Sequence, residues 1–331
     1  MLGAPRSDPD QVQCATKRIT RLALAALLLC GAASPAAAST LVISGAGDGH
    51  GVGMSQDGAL GYAEHGWSYQ AILAHYYQHT TIGRVQSGRI VKVLVGSRVK
   101  RVALEAYVRG VVPAEVSADW PMAALEAQAV ASRTYALTAH AGGARFDVYS
   151  DTRSQMYLGR AAEAPSTNAA VAATAGQIVT YAGQAAITYF SADSGGHTES
   201  VQYGFPGALP EPWLVGVADP YDSGPLSKWM VSMSFAAAAA RLRGLVHGAF
   251  QGIEVTRRGS SPRIVSAYVL GSQGKTAVSG PELAERLGLY STWAYFQATG
   301  QAPAARHGDT GAVAGPTPAA PGRGTGGVSA G

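Results

Sequence analysis

Cysteine is nearly absent from this chain: two occur, Cys14 and Cys30, both near the N-terminus. If that segment is removed, no disulfide can form, no thiolate can hold a metal, and stability rests on a packed core. Charge is scarce as well. Only 14% of the 331 residues are charged, the formal net charge is +4, and no run of basic residues occurs. Nucleic acid is therefore not an expected partner. Long apolar runs are also missing. The stretch from Leu22 to Leu29 follows Lys17, Arg18 and Arg21 and leads to Ala36-Ala37-Ala38. It is too short for a comfortable membrane span and has the layout of a secretory signal peptide cut near Ala38. We expect an exported protein, in the periplasm or at the cell wall, without a stable transmembrane anchor. Cys30 follows Leu29, where a lipoprotein box would carry a small residue, so simple export is preferred to lipidation.

The chain then divides into a domain over residues 39–297 and a tail over 298–331. The tail is Ala, Gly, Pro and Thr with almost no large apolar residue, and is expected to be disordered. Within the domain, Thr40–Ser44, Arg89–Val95, Arg101–Leu104, Gln177–Tyr181 and Ala185–Phe190 read as strands. Ile253–Arg258 and Arg263–Leu270 read as a hairpin across Gly259-Ser260-Ser261-Pro262. Helices are expected at Tyr69–Tyr77, Phe235–Leu242 and Glu282–Leu287. The longest opens at Pro121 and buries Met122, Leu125, Ala129, Ala136 and His140 on one face. These elements predict an α+β fold in one domain, with two lobes around a groove as one arrangement of it.

Several familiar motifs fail. The glycines at 45, 47, 49, 51 and 53 never fit G-x-G-x-x-G, and Gly274-Lys275-Thr276 lacks the first glycine of a phosphate loop. Ser55 stands one residue short of a nucleophile elbow. His75 and His79 are four apart on the expected helix, but Tyr76 occupies the place where a zinc hydrolase of the H-E-x-x-H type needs glutamate. No cofactor or metal is expected. Two loops remain as site candidates. The glycine run offers His50, Ser55 and Gln56, with backbone freedom for close approach to a ligand. Ser191-Ala192-Asp193-Ser194-Gly195-Gly196-His197-Thr198 presents small hydroxyls at the end of an apolar strand.

The strongest candidate is Glu115. It lies among Val111, Val112, Pro113, Ala114 and Val116, in a proline-stiffened turn ahead of the helix carrying Gln128, Arg133 and Tyr135. Apolar neighbours favour the protonated carboxyl, the form that general-acid cleavage of a sugar linkage needs.

Gly49-His50-Gly51-Val52-Gly53-Met54-Ser55-Gln56, with Gly58-Ala59, Gly61 and Ile72 to Tyr77, closely resembles a signature of the stage II sporulation protein D (SpoIID)/LytB family. The stretch from Val111 to Ala136 resembles a second signature. Ser154-Gln155-Met156-Tyr157, Thr188 to Thr198, and Val278-Ser279-Gly280 with Leu287-Gly288-Leu289 resemble three more. The resemblance implies a lytic transglycosylase of peptidoglycan, acting on glycan strands without stem peptides, with Glu115 as the acid. It also implies that His50, Ser55, Gln56, Gln128, Arg133, Tyr135, Gln155, Tyr157 and Ser194 bind substrate.

Three departures stand out. The His50–Gln56 signature precedes the glutamate here, whereas sporulation members place it after. Asp151-Thr152-Arg153-Ser154-Gln155 lacks the Cys and His with which some members bind zinc. Asp48 and Asp57 stand where aromatics are frequent. Two rival readings remain: a non-catalytic wall-binding protein that enhances an N-acetylmuramoyl-L-alanine amidase, and a zinc hydrolase built on His50, His75 and His79.

Overall fold

A computed structural model describes residues 39–300, so the expected signal peptide and nearly all of the expected tail lie outside the described residues. The architecture is α+β, as the pattern of elements implies. Strand β1 (Thr40–Gly45) leads into the glycine run, which ends in the short β2 (Met54–Ser55) and helix α1 (Gln56–Glu64); α2 (Tyr69–Tyr76) follows. β3 (Thr81–Arg84), β4 (Ile90–Val95) and β5 (Arg98–Ala103) precede α3 (Leu104–Glu115) and α4 (Met122–Thr138). β6 (Val148–Tyr149), α5 (Pro165–Ala173), β7 (Gln177–Tyr181), β8 (Gln184–Ala185), β9 (Phe190–Ser191) and α6 (Val201–Gly204) complete the central part. The last third holds β10 (Trp229–Ser234), α7 (Phe235–Arg241), β11 (Phe250–Arg258), β12 (Ile264–Gly271), β13 (Gly274–Ser279), α8 (Gly280–Leu287) and β14 (Ala294–Thr299).

Helix α4 organises the centre. Every residue from Ala127 to Ala136 is buried, because α1 and α2 pack on one side and α3 and α5 on the other. Ala127, Val130 and Ala131 join one apolar cluster with Ile72, Leu73, Tyr76 and Tyr77. Leu125, Ala129 and Ala136 join another with Val108, Val111 and Val112. Small side chains let four helices approach one axis, so a helix buried all round replaces the expected single face. Met122 is consequently exposed at the open end, and His140 lies beyond the helix at positive φ.

A third core gathers the two ends of the described chain. β1 is the middle strand of a sheet ordered β10-β1-β14, antiparallel to both neighbours. Leu41 and Ile43 point from it into a cluster with Val269, Leu283 and Leu287. The expected hairpin is present as β11 and β12, with β13 added to its far side. β14 runs on past residue 297, Ala298 and Thr299 pairing with Leu41 and Thr40. Alternating apolar residues end at Phe296, so pairing alone carries the strand onward. The expected strand Ala185–Phe190 forms ladders only at its ends, in β8 and β9. Leu104, expected to end a strand, opens α3.

Candidate active site

Glu115 does not sit in a turn. It is the last residue of α3. Leu104, Tyr107, Val108, Val111 and Val112 are all buried and recur at helical spacing, which drives the helix through to its end. Pro113 falls in the final turn, where loss of one amide stops the helix rather than preventing it. A helix C-terminus is a poor place for an anion, because the partial charge there is already negative. Burial raises the Glu115 pKa above the ordinary glutamate range; the Met156 N–H and the Gln56 amide, both donating to its carboxylate, oppose that rise.

Two recesses meet at this carboxyl group. One, of about 330 Å³, is walled by Pro113, Trp120, Ser117 and Asp57. The other, of about 270 Å³, is walled by His50, Asp48, Gln155, Met156, Ser154 and Phe190. Glu115, Gln56 and Ala192 line both, so the acid stands in the middle of one continuous groove.

The groove is assembled by a parallel pairing of β2 with β9, Met54 beside Phe190 and Ser55 beside Ser191. An isolated bridge between Asp48 and Asp193 extends the contact. The two loops singled out in the sequence are thus laid side by side. The glycine run follows a path only glycine tolerates: Gly51 and Gly53 have φ of 72° and 75°, and a Cβ on Gly53 would lie 2.1 Å from the Tyr189 carbonyl oxygen. Ser55 ends the run as the cap of α1, its Oγ accepting from the Gly58 N–H at 3.2 Å. That cap aims Gln56 at Glu115.

A polar relay fixes the acid from behind. Gln56 Nε2 donates to Glu115 Oε2 at 3.3 Å and to Gln128 Oε1 at 3.5 Å. Gln128 Nε2 donates in turn to Ser132 Oγ at 3.0 Å. Gln128 is buried and acts on the groove through Gln56. His50 is held neutral at neutral pH: burial, then the Arg263 charge, lower its pKa to about 4. Its Nδ1 accepts from the Val52 N–H at 2.9 Å. Gln155 donates to the Tyr107 hydroxyl at 2.9 Å, while its buried Oε1 has no partner within the protein. Tyr135 packs edge-on to Tyr189 and Phe190.

Other expected substrate contacts stand elsewhere. Arg133 does not line the groove. It is wholly buried, with Nε and Nη2 on Glu105 at 2.9 and 2.8 Å and Nη1 on the Gln177 carbonyl at 3.1 Å. A side chain on the inward face of a fully enclosed helix must find its partners inside. Tyr157 lines neither recess and stacks on Tyr107, ring centroids 5.0 Å apart. Ser55 and Ser194 both donate to Asp222 Oδ2, at 2.8 and 2.6 Å, behind the groove wall. His75 takes Tyr62 and the Ala218 carbonyl as neighbours, and His79 lies past the end of α2 at φ 60°, so the two rings do not share a helical face. Sequence reasoning missed the wall residue Trp120 and the Met156 N–H; a backbone donor leaves no sequence signal, whereas Trp120 stood within the Glu115 motif.

Asp57, on the wall of the first recess, crowds together with Asp193, Asp219 and Asp222 behind it. Burial first, then the Asp222 charge, push Asp57 up to about 6 and Asp193 and Asp219 up to about 7. Asp193 Oδ1 accepts from the Gly195 N–H at 2.7 Å, but its buried Oδ2 has no donor. Raised carboxyl pKa values mean that the folded state holds protons the unfolded chain has released. Stability therefore falls as pH rises from about 4 to about 7, and the penalty is complete above that. Asp193→Asn is expected to stabilise the protein at pH 8 by roughly 1–3 kcal/mol and to gain little at pH 4. Thermal melts at the two pH values check this; an equal gain at both would contradict it.

A glutamate desolvated at a helix end, where a recess carrying Asp57 meets one carrying Asp48 and both carry amide or aromatic side chains, makes a site suited to proton transfer on a polar ligand. Residues 96–181, which include Glu115, match the family described as SpoIID, stage II sporulation protein. The chain is 30% identical over 212 residues to the stage II sporulation protein D of Bacillus subtilis, covering 58% of this chain and 60% of that one. It is 32% identical over 126 residues to the amidase enhancer of Bacillus subtilis, covering 38% of this chain and 17% of the other. An uncharacterized protein of Brachyspira hyodysenteriae is 41% identical over 140 residues, 41% of this chain and 38% of its own. The chain thus spans less than two thirds of each of these relatives.

Proposed function

We propose that this protein acts on the bacterial cell wall as an exported peptidoglycan lytic transglycosylase, with Glu115 as its acid and base. The observation that carries the reading is a buried glutamate with a raised pKa where two recesses meet. In the proposed reaction the protonated Glu115 carboxyl gives its hydrogen to the oxygen linking MurNAc to GlcNAc as the bond from C1 breaks. The carboxylate left behind takes the proton of the MurNAc C6 hydroxyl while the C6 oxygen bonds to C1. A 1,6-anhydro end forms, no water is consumed, and the carboxyl group returns to its starting state. One acid suffices, whereas hydrolysis calls on a second carboxylate. Gln56 and the Met156 N–H orient the group, and Trp120 and Phe190 offer apolar surface to sugar rings.

Mass spectrometry of peptide-free glycan strands after incubation tests the proposal. Anhydro-ended fragments are expected; reducing-end fragments would mean hydrolysis and overturn it. Strands that are bound but left intact would favour a second reading, suggested by the likeness to an amidase enhancer: a wall-binding protein that stimulates an N-acetylmuramoyl-L-alanine amidase.

The pH dependence should follow Glu115. Activity needs the protonated form, so kcat/KM is expected to fall as pH rises through its raised pKa. Gln56→Ala removes a donor that favours the carboxylate, and the alkaline limb should move to higher pH. A limb that stays in place or moves to lower pH counts against this assignment.

A further inference from the structure

The sheet β10-β1-β14 turns one face away from the core, and its register sets out what that face carries. Met230 and Tyr295 stand opposite Ser44 on either side, and Ser232 and Gln297 stand opposite Val42. None of the three strands contains a charged residue, although Met230 is 72% and Tyr295 47% exposed. Outer strands of an open sheet are ordinarily guarded by charges of their own, so exposed Met230 and Tyr295 on strands without any call for an occupant. At the Gly45 end the face opens into a recess of about 620 Å³ walled by Trp229, Trp293, Tyr295 and Met230, with Lys228 at its rim. The Trp229 ring lies directly over Gly45, with no room for a Cβ between them. Arg258 is stacked on Tyr295, 4.5 Å from the ring centroid.

We infer that this face and recess form a second glycan-binding site, which takes a stretch of the strand distant from the bond being cleaved. The inference rests on the glycan-strand reading above. A pyranose ring has an apolar face of C–H groups and a rim of hydroxyls, which matches flat aromatics flanked by Ser44, Ser232 and Gln297. A peptide-free strand also carries a lactyl carboxylate on every second sugar. Lys228 is an exposed cation at this face, Arg258 on Tyr295 already donates to the Pro262 and Ala294 carbonyls, and the strands hold no opposing acid. The recess and the groove draw on the same two loops. Gly45 and Ala46 line this recess while Asp48 and Gly49, a few residues on, line the groove around Glu115. Gly195 and Ala192 repeat that relation on the facing loop. A linear polymer that follows these two loops would reach both recesses.

The test compares Glu115→Gln, which keeps strands intact, with the same protein also carrying Lys228→Ala and Tyr295→Ala. Both added substitutions are at exposed positions outside the core, and a thermal melt verifies the fold. Binding of long peptide-free strands is expected to weaken about tenfold, as for loss of a contact aromatic with its neighbouring charge. A tetrasaccharide, too short to span both sites, should bind the two proteins equally in the groove. Unchanged binding of long strands overturns the inference. If light scattering instead detects a dimer that the substitutions dissolve, with strand binding intact, the face belongs to a second copy. Wild type that releases no anhydro ends, while the substitutions still weaken strand binding, would sink the transglycosylase reading and leave this site standing. A parent protein that binds no strand at all would remove both.

Discussion

Glu115→Gln is expected to lower the rate of anhydro-end formation by roughly 10²–10⁴-fold, the usual share of a positioned general acid, while leaving the melting temperature unchanged or higher. Glutamine keeps the shape of the side chain and an oxygen that can accept from the Met156 N–H, so the local packing survives. What it removes is the ionisable proton. The folded protein bears a cost for Glu115 at neutral pH, because the carboxylate is buried and stands at the negative end of α3. A neutral amide escapes that cost. Loss of turnover together with a gain in stability is the signature of a residue kept for chemistry. Glycan analysis beside a thermal melt at pH 8 measures both; full activity in the variant would remove Glu115 from the reaction.

The second large effect concerns the fold itself. Arg133 is fully buried at the heart of α4, and among the described residues Glu105 is its only carboxylate partner, reached by two hydrogen bonds. Glu105→Gln removes the neutralising charge and one of the two acceptors, leaving the enclosed guanidinium with the glutamine oxygen and the carbonyls of Ala129, Val171 and Gln177. Stranding a buried charge costs about 3–5 kcal/mol, and the partial exposure of Glu105 places this case near the lower end. For a domain of this size that corresponds to a drop in melting temperature on the order of 10 °C. Adding Arg133→Met should recover much of the loss, since two well-packed neutral side chains replace the pair. A single variant that melts within a degree or two of wild type would show that the pair contributes little.

Arg133 also marks where reading the sequence reached its limit. Its motif and its neighbours Gln128 and Tyr135 placed it in the groove, on the assumption that polar residues of a signature point at the ligand. The helix is buried on every side, so Arg133 faces inward and its motif serves the packing of α3, α4 and β7. Gln128 likewise works one residue removed, by holding Gln56. Ser55 and Ser194 do the same for the carboxyl cluster at Asp222.

Local pattern determined a good deal by itself. The apolar alternation of Thr40–Ser44 and Gln177–Tyr181, the proline before α4 and the glycine-serine turn between β11 and β12 each specify an element through nearest-neighbour physics. The apolar setting of Glu115 and the positive-φ demand of the glycine run are equally local, and both candidates rest on them. Tertiary structure alone decided what those pieces meet. Residues 54–55 pair with residues 190–191 across more than a hundred intervening positions, and only that pairing puts Gln56 within reach of Glu115. The Met156 N–H on the acid, the inward turn of Arg133 and the outer face shared by β10, β1 and β14 are likewise contacts between distant segments. A sequence fixes backbone preference over a few residues, whereas burial and partnership are properties of the whole packed chain.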